Sequence, residues 1–557
     1  MALWRRTMAW ILGAAVMALA AGPVLAAERD QLTIGITQFP SSFHPSTDPM
    51  VAKSYILAMT NRPITAYDKD WALVCMLCTE LPTIENGQAV LEDLPGGGKG
   101  IAVTYTLQPR AVWGDGTPVT TSDVVFTWEV GRHPQSGFSS GELYRRIRSI
   151  DARDDKTFTL HLDRVTFDYN AINDFRLLPV RREQAAFADP AQYRTRTAFD
   201  TDTTSPGLFN GPYRIVEVER GSHVVLERNA YWFGAQPQFR RIVVKVVENT
   251  AALEANLLSG SVDYVAGELG LTLDQALAFE KRHGDRFSVI YKPGLTFEHI
   301  DLNLDNPALK DVRVRRALLL GLNRPLIAER LFGGRQPVAD TAVNPLDWVH
   351  AKDITTYPHA PDRAAALLNE AGWRMGAGGL RRNAAGQPLT LELMTTAGNR
   401  IRELVEQVLQ SQWKTLGVDV RIRNEPARVF FGETLRNRRF AALAMYAWLS
   451  APESVPRSSL HSKMIPTAAN NWAGQNYGGY TNPEMDDLID RIEVELDRDK
   501  RKDLWRRLQQ IYADDLPALP LYFRADPFIL PRWLKGVTPT GHEDPSTLWV
   551  ETWRAER

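Results

Sequence analysis

Cysteine is nearly absent from this chain: Cys75 and Cys78 are the only two in 557 residues. A disulfide framework is thereby excluded as the source of the fold, and a zinc site built on cysteine has no second pair to complete it. No charge of one sign dominates either. Lys and Arg number 65 and Asp and Glu 66, so no bulk field draws the chain to nucleic acid or to anionic lipid. The ten histidines are scattered, with no His-Glu-x-x-His and no pair three or four apart, so the pattern indicates no metal site. After Ala21 there is no long apolar run, no internal repeat and no low-complexity segment. The glycine-rich Pro95-Gly-Gly-Gly-Lys99-Gly100 lacks the order of a phosphate loop and reads as a hairpin loop.

What is present is a chain too long for one hydrophobic core, so two or three domains are expected. Its composition, 44% hydrophobic and 24% charged, is that of a soluble globular protein. The amino terminus stands apart. Arg5 and Arg6 precede an apolar run from Met8 to Ala21, followed by Val24-Leu25-Ala26. This order predicts a secretory signal peptide over residues 1–26, because the run is shorter than the ~20 residues a spanning helix needs. The mature chain is then expected outside the cytoplasmic membrane. In that oxidising setting Cys75 and Cys78 are expected to close a small structural disulfide. The flanking Trp71–Pro82 reads as strand and loop, without the helix start that would make a thiol reactive.

The chain is organised around the stretch from Tyr291 to Asn344. Phe297, His299, Asp301 and Asn303 alternate with Glu298, Ile300, Leu302 and Leu304, the period of a strand. Asp311 then opens a helix with Val312, Ala317, Leu318, Leu319 and Leu322 on its apolar face and Arg313, Arg315 and Arg316 on its wet one. Elsewhere, Val103–Trp128 reads as a strand, a Gly-Asp-Gly turn and a helix opened by Thr120 and Asp123 as a capping box. Phe209–Trp232 reads as a turn and a hairpin. Strand Leu389–Met394, a helix with Ile401, Leu404, Val405, Val408 and Leu409 on one face, and a strand from Val418 form a β-α-β unit, which argues for an α/β lobe. Two amphipathic helices follow, one carrying Met485, Leu488, Ile489 and Ile492 and the other Leu504, Trp505, Leu508, Ile511 and Tyr512.

Several of these segments share their wording with one family. They are Asn303 with Pro307 and Lys310-Asp-Val-Arg-Val-Arg-Arg-Ala-Leu318; Trp113-Gly-Asp-Gly-Thr-Pro118 followed by Ser122-Asp-Val; and Gly211-Pro-Tyr213 followed by Asn229-Ala-Tyr-Trp232. In this order, over nearly the whole mature chain, the sequence resembles the bacterial extracellular solute-binding proteins of family 5, the periplasmic dipeptide- and oligopeptide-binding components of ABC importers. The resemblance implies an α/β, class II periplasmic binding protein with two lobes around a cleft and an extra small β-rich domain. Lobe I would comprise 27–46, 207–292 and 527–557, the small domain 47–206, and lobe II 293–526. It also implies a monomer without cofactor that captures short or modified peptides in the periplasm and passes them to an inner-membrane permease, with no catalysis.

Candidate ligand-binding residues come from aromatic and amide density in the last third: Tyr446, Trp448, Trp472, Asn476 and Tyr477 offer flat apolar faces and polar tips. Phe39 and Phe43 follow the first strand of lobe I, and Arg400, at a helix start, suits an acidic ligand group. Peptide-binding relatives carry, three residues after the position of Trp448, an Asp that pairs with the peptide α-ammonium. Here Ala451 stands there, and Glu453 is the expected substitute. Asn476, ten residues before Asp486, matches an amide near the ligand in the family. Two other readings are weighed: a carrier for a non-peptide solute such as an opine, sugar, glycolipid or metal chelate, and a hydrolase using Ser139 within Gly137-Phe-Ser-Ser-Gly141. The hydrolase reading lacks the strand that such a nucleophile turn requires.

Overall fold

Two long antiparallel strands, Phe287–Leu302 and Ala518–Pro531, lie at the centre of a ten-stranded sheet in the computed structural model of this chain. The structure describes residues 29–47, 50–138, 141–426, 429–470 and 474–556, so the expected leader and Ser139 lie outside the described residues. Across the sheet the order is Asp419–Ile422, Thr390–Met394, Leu443–Trp448, the two long strands, Tyr264–Val265, Gln31–Ile36, Arg241–Val246, His223–Arg228 and Tyr213–Glu219. The hairpin expected after Phe209 forms the far edge, its turn closed by Gly221 at φ 77°, where L side chains are disfavoured.

Each long strand serves two cores. Ile300 and Leu302 pack with Leu318, Leu393, Val405 and Trp413 in the α/β half, and Leu519 and Leu521 of the partner strand join them. Further along, Phe528 and Leu530 enter a second core with Leu32, Ile34, Tyr213, Leu226 and Ile242. Between the two, the pairing register shifts between Pro293 and Phe297. Loops seize the interruption. The Gly294 carbonyl accepts from Asn344 Nδ2 at 2.7 Å, and Leu295 N–H donates to the Gly541 carbonyl at 2.9 Å. A Cβ at Gly294 would lie 2.8 Å from that same carbonyl, so only glycine permits the approach.

The α/β half is the β-α-β unit read from the sequence, with Thr390–Met394 parallel to both Asp419–Ile422 and Leu443–Trp448. Its helix, Arg400–Thr415, buries Val405, Leu409 and Trp413 at i, i+4 and i+8, while Leu404 turns outward. Leu404 therefore does not belong to the apolar face expected for it, because the stripe tilts toward Trp413, whose Nε1–H donates to the Leu318 carbonyl at 2.8 Å. The helix Val312–Leu320 carries a second correction. Arg315 is buried rather than wet, its guanidinium donating to the carbonyls of Asp515 and Leu309. A side chain with five donors can cap loop carbonyls from inside a core if all are met.

The small β-rich unit is an antiparallel sheet of Ala89–Asp93, Lys99–Thr106, Thr157–Leu162 and Ile147–Ala152. Helix Thr121–Arg132 packs beside it, opened as expected by Asp123, whose carboxylate accepts from Thr120 N–H at 2.9 Å. That carboxylate also accepts from Trp113 Nε1 and Val180 N–H, which ties the Trp-x-Asp-Gly segment to the helix. Cys75 and Cys78 are bonded on the edge of this unit, with Cα atoms 5.2 Å apart. Helix Val51–Thr60 and the segment holding Leu178, Tyr193 and Phe199 pack into the core of Leu32 and Ile242. Both fall inside the 47–206 span assigned to the small domain, so the apolar contacts of that span divide between two cores.

Glu298 points to the side of its strand opposite Phe297 and His299. It is buried and meets Arg402 at 3.1 Å, with Arg524 in closer contact. Burial alone opposes its charge, but the two guanidinium groups prevail and hold this carboxyl below the usual 4.5. A depressed carboxyl pKa stabilises the fold above the unfolded value and ceases to do so as pH falls through the folded one. Glu298→Gln is expected to cost about 3–5 kcal/mol near neutrality, with the gap to the parent narrowing as pH drops below the usual value. Denaturant titrations at several pH values measure that gap, and a gap constant with pH would contradict the pairing. Trp413→Ala, which empties the centre of the α/β core, is expected to cost about 3–5 kcal/mol, read as a shift of the urea midpoint.

Candidate functional site

The alternation in the first long strand places Phe297, His299 and Asp301 on one face of the sheet. The neighbouring strand aligns Trp448 opposite Phe297 and Tyr446 opposite His299. The rings form a stack: Phe297 on His299 at 5.0 Å, His299 near Trp448 at 6.4 Å, and Trp448 on Tyr477 at 6.1 Å, all within 27° of parallel. Tyr446 meets His299 and Trp448 edge-on and donates its hydroxyl to Asp301 Oδ2 at 2.5 Å. Burial first, and then Asp301, push the Tyr446 phenol far above its ordinary range, so it serves there as a donor.

This face borders a cavity of about 150 Å³, closed on its other sides by Tyr480, Tyr512 and the loop from Leu449 to Pro456. A second cavity, of about 600 Å³, lies on the other side of the same loop, between it and Tyr67, Arg146 and Phe167 of the small β-rich unit. Ser454 and Val455 border both, so the loop forms a partition between a broad cleft and a narrow side pocket. The cleft walls touch at one end, where Phe167 N–H donates to the Glu493 carbonyl at 3.0 Å and the Arg501 guanidinium lies 4.7 Å over the Phe167 ring.

Of the residues proposed from sequence, Trp448 and Asn476 border the narrow pocket. The Asn476 amide, however, is spent on its own loop, donating to the carbonyls of Tyr480 and His461 and accepting from Tyr480 N–H. It shapes the pocket through backbone it holds. Tyr446 lies fully buried behind the stack, and Tyr477 supports Trp448 from its far face. Trp472 lies outside the described residues.

Four of the expected residues lie away from the two cavities or have their polar groups engaged elsewhere. Phe43 is fully buried in the core with Leu32 and Tyr193, and Phe39 packs on it edge-on at 6.2 Å, so both belong to lobe packing. Arg400 is exposed at its helix start and borders neither cavity. Glu453 does border the cleft, but its carboxylate is committed. It pairs with buried Arg501 and accepts from Trp348 Nε1 at 2.9 Å, so it does not replace the carboxylate that Ala451 lacks. Its pKa is raised, because burial outweighs the help from Arg501. Sequence reasoning did not select His299, Asp301 or Tyr512 as site residues. The available signal was two polar residues on the Phe297 face of an alternating strand, a placement that costs energy unless it is used.

Two cores joined by paired long strands, with a cleft between the 449–456 loop and the small β-rich unit and a side pocket on the other side of that loop, define a protein built to enclose a solute. Residues 99–464 match the family described as bacterial extracellular solute-binding proteins, family 5 Middle, and the chain belongs to that family. It is 25% identical over 455 residues to an oligopeptide-binding protein AppA of Bacillus subtilis, covering 80% of this chain and 79% of the relative. It is 26% identical over 469 residues to a periplasmic oligopeptide-binding protein OppA of Salmonella typhimurium, covering 78% and 79%. Among solved structures, an oligopeptide-binding protein from Thermus thermophilus complexed with a pentapeptide superposes with a TM-score of 0.69 at 28% identity, covering 94% of this chain and 96% of that one.

Glu453→Ala is expected to cost about 3–5 kcal/mol of stability by leaving the Arg501 guanidinium buried and unpaired. Chemical denaturation reads this directly. A variant as stable as the parent but weaker in ligand affinity would return Glu453 to the contact surface.

Proposed function

We propose that this chain is the periplasmic solute-binding component of an ABC importer, capturing short peptides in the cleft and delivering them unaltered to an inner-membrane permease. The observation that carries this reading is the arrangement around the 449–456 loop. The 600 Å³ cleft suits a main chain and the smaller pocket beside it suits one side group. The family membership and the oligopeptide-binding relatives support the same reading. A ligand spanning the cleft contacts both walls only when they are together, so its binding free energy favours the closed arrangement, which the permease then recognises. The chain acts as a monomer, exported by the leader over 1–26, and its role is capture rather than turnover.

Ala451 favours one second reading, a solute without a free peptide amino terminus, because neither it nor the committed Glu453 offers a carboxylate to an α-ammonium at that place. Native mass spectrometry of protein taken from the periplasm, with release and fragmentation of any retained mass, separates the two: a peptide ladder supports the first and a non-peptide mass the second. Return of the added ligand in a chemically changed form would overturn capture altogether. Trp448→Ala removes the broadest ring facing the pocket and is expected to weaken binding by about 1–3 kcal/mol. Calorimetric titration with a bound peptide measures it, and unchanged affinity would place the ligand elsewhere.

A further inference from the structure

The narrow pocket has a chemistry of its own. Among the described residues that border it, Asp301 is the one carboxylate, and neither Lys nor Arg is present to neutralise it. Its side chain keeps 14% of its surface accessible, whereas His299 beside it is buried. His299 Nδ1 lies 3.3 Å from the Phe297 carbonyl, so that side of the ring is turned toward the strand backbone. Nε2 lies 3.2 Å from Asp301 Oδ1 and makes no aligned hydrogen bond among the described residues. The hydroxyl of Tyr512, also buried and bordering the pocket, finds no hydrogen-bond partner among the described residues. Two orphaned polar atoms and a carboxylate therefore meet one small space, walled by the faces of Phe297, Trp448 and Tyr480.

A group that donates several hydrogen bonds and carries positive charge suits the carboxylate and can donate to the Tyr512 hydroxyl as well. An ammonium has three donors and no acceptor, a guanidinium five, and both gain from aromatic faces when desolvated. An anionic group would meet the Asp301 carboxylate across a small space and be opposed by it, and an apolar group would leave the Tyr512 hydroxyl unpaired. We propose that the pocket bordered by Asp301, His299, Tyr512 and Trp448 is a specificity site for a cationic group of the ligand, an alkylammonium or guanidinium. This assignment rests on the capture of a solute in the adjoining cleft. The pocket is smaller than the roughly 300–1,000 Å³ of a whole small-molecule site, so it takes one such group and not the entire ligand.

The test uses the full mature chain and tetrapeptides identical except for one residue, Lys, Arg, Met or Glu, each with a free and an acetylated amino terminus. The expected result is at least tenfold tighter binding of the acetylated Lys or Arg peptide than of the Met peptide, and weakest binding of the Glu peptide. Asp301→Asn, whose carboxamide oxygen can still accept from Tyr446, is expected to bring the Lys-to-Met ratio close to one. Tyr512→Phe is expected to reduce the ratio by a smaller factor. A preference that follows the free amino terminus alone identifies the α-ammonium as the cation seated there. A second arm titrates n-butylammonium against 1-butanol by tryptophan fluorescence, with saturable quenching expected for the cation only and lost in Asp301→Asn. Peptides that bind without regard to charge, together with no response to butylammonium, would overturn the cation site while leaving peptide capture intact. Butylammonium binding with no peptide bound would retain the cation site and remove peptide capture, and silence in both arms would remove both.

Discussion

The pairing of the two long strands is the constraint on which the rest of the molecule depends. Because Phe287–Leu302 and Ala518–Pro531 each feed apolar residues to two separate cores, neither half can form its sheet without positioning the other. The register shift between Pro293 and Phe297 interrupts the ladder at the junction of the halves, and loops from 344 and 541 bond the freed backbone groups. Unpaired backbone polar groups there would be costly, so the interruption is stabilised by partners that are themselves part of the two lobes. A small change in strand pairing at this point translates into relative movement of two packed bodies, since packed cores shift as units.

The same strand divides its labour by face. On one side Glu298 ties the sheet to Arg402 at the helix start and to Arg524 on the partner strand, a buried triad that is satisfied internally. On the other, His299 Nε2 lacks an aligned partner among the described residues, and Asp301, which accepts from Tyr446, borders a cavity that holds neither Lys nor Arg among its described residues. A buried carboxylate held by two guanidinium groups contributes to structure, and one held by a phenol beside an open cavity keeps capacity for a ligand. The contrast between Glu298 and Asp301, three residues apart, expresses that difference within one element. Glu453 falls on the structural side of it, which is why the residue nearest to the missing acid of the loop is not its replacement.

Much of the architecture was legible in the chain. The alternation from 297, the β-α-β unit around 389–422, the capping Asp123 and the hairpin after Phe209 are local patterns, and each is found where it was expected, save that the first strand ends at Leu302, before Asn303 and Leu304. The errors were those of partnership. Arg315 reads as a solvated charge on a helix and is buried, because the local Leu309 carbonyl is joined as acceptor by that of Asp515, two hundred residues away. Phe43 reads as part of a ligand wall and is core, with Phe39 half-buried against it, because distant residues such as Tyr193 and Phe199 join the same cluster. No local pattern reports which distant surface will meet a side chain.

The amino-acid order by itself determined the type and place of most strands and helices, the division into more than one core, and the family. These follow from short-range periodicity, turn chemistry and motif wording, all of which are written along the chain. Tertiary structure alone decided which polar side chains remained free. Whether a carboxylate such as Asp301, Glu298 or Glu453 is spent or available depends on donors brought to it from other elements, and that pairing exists only once the sheet has joined them.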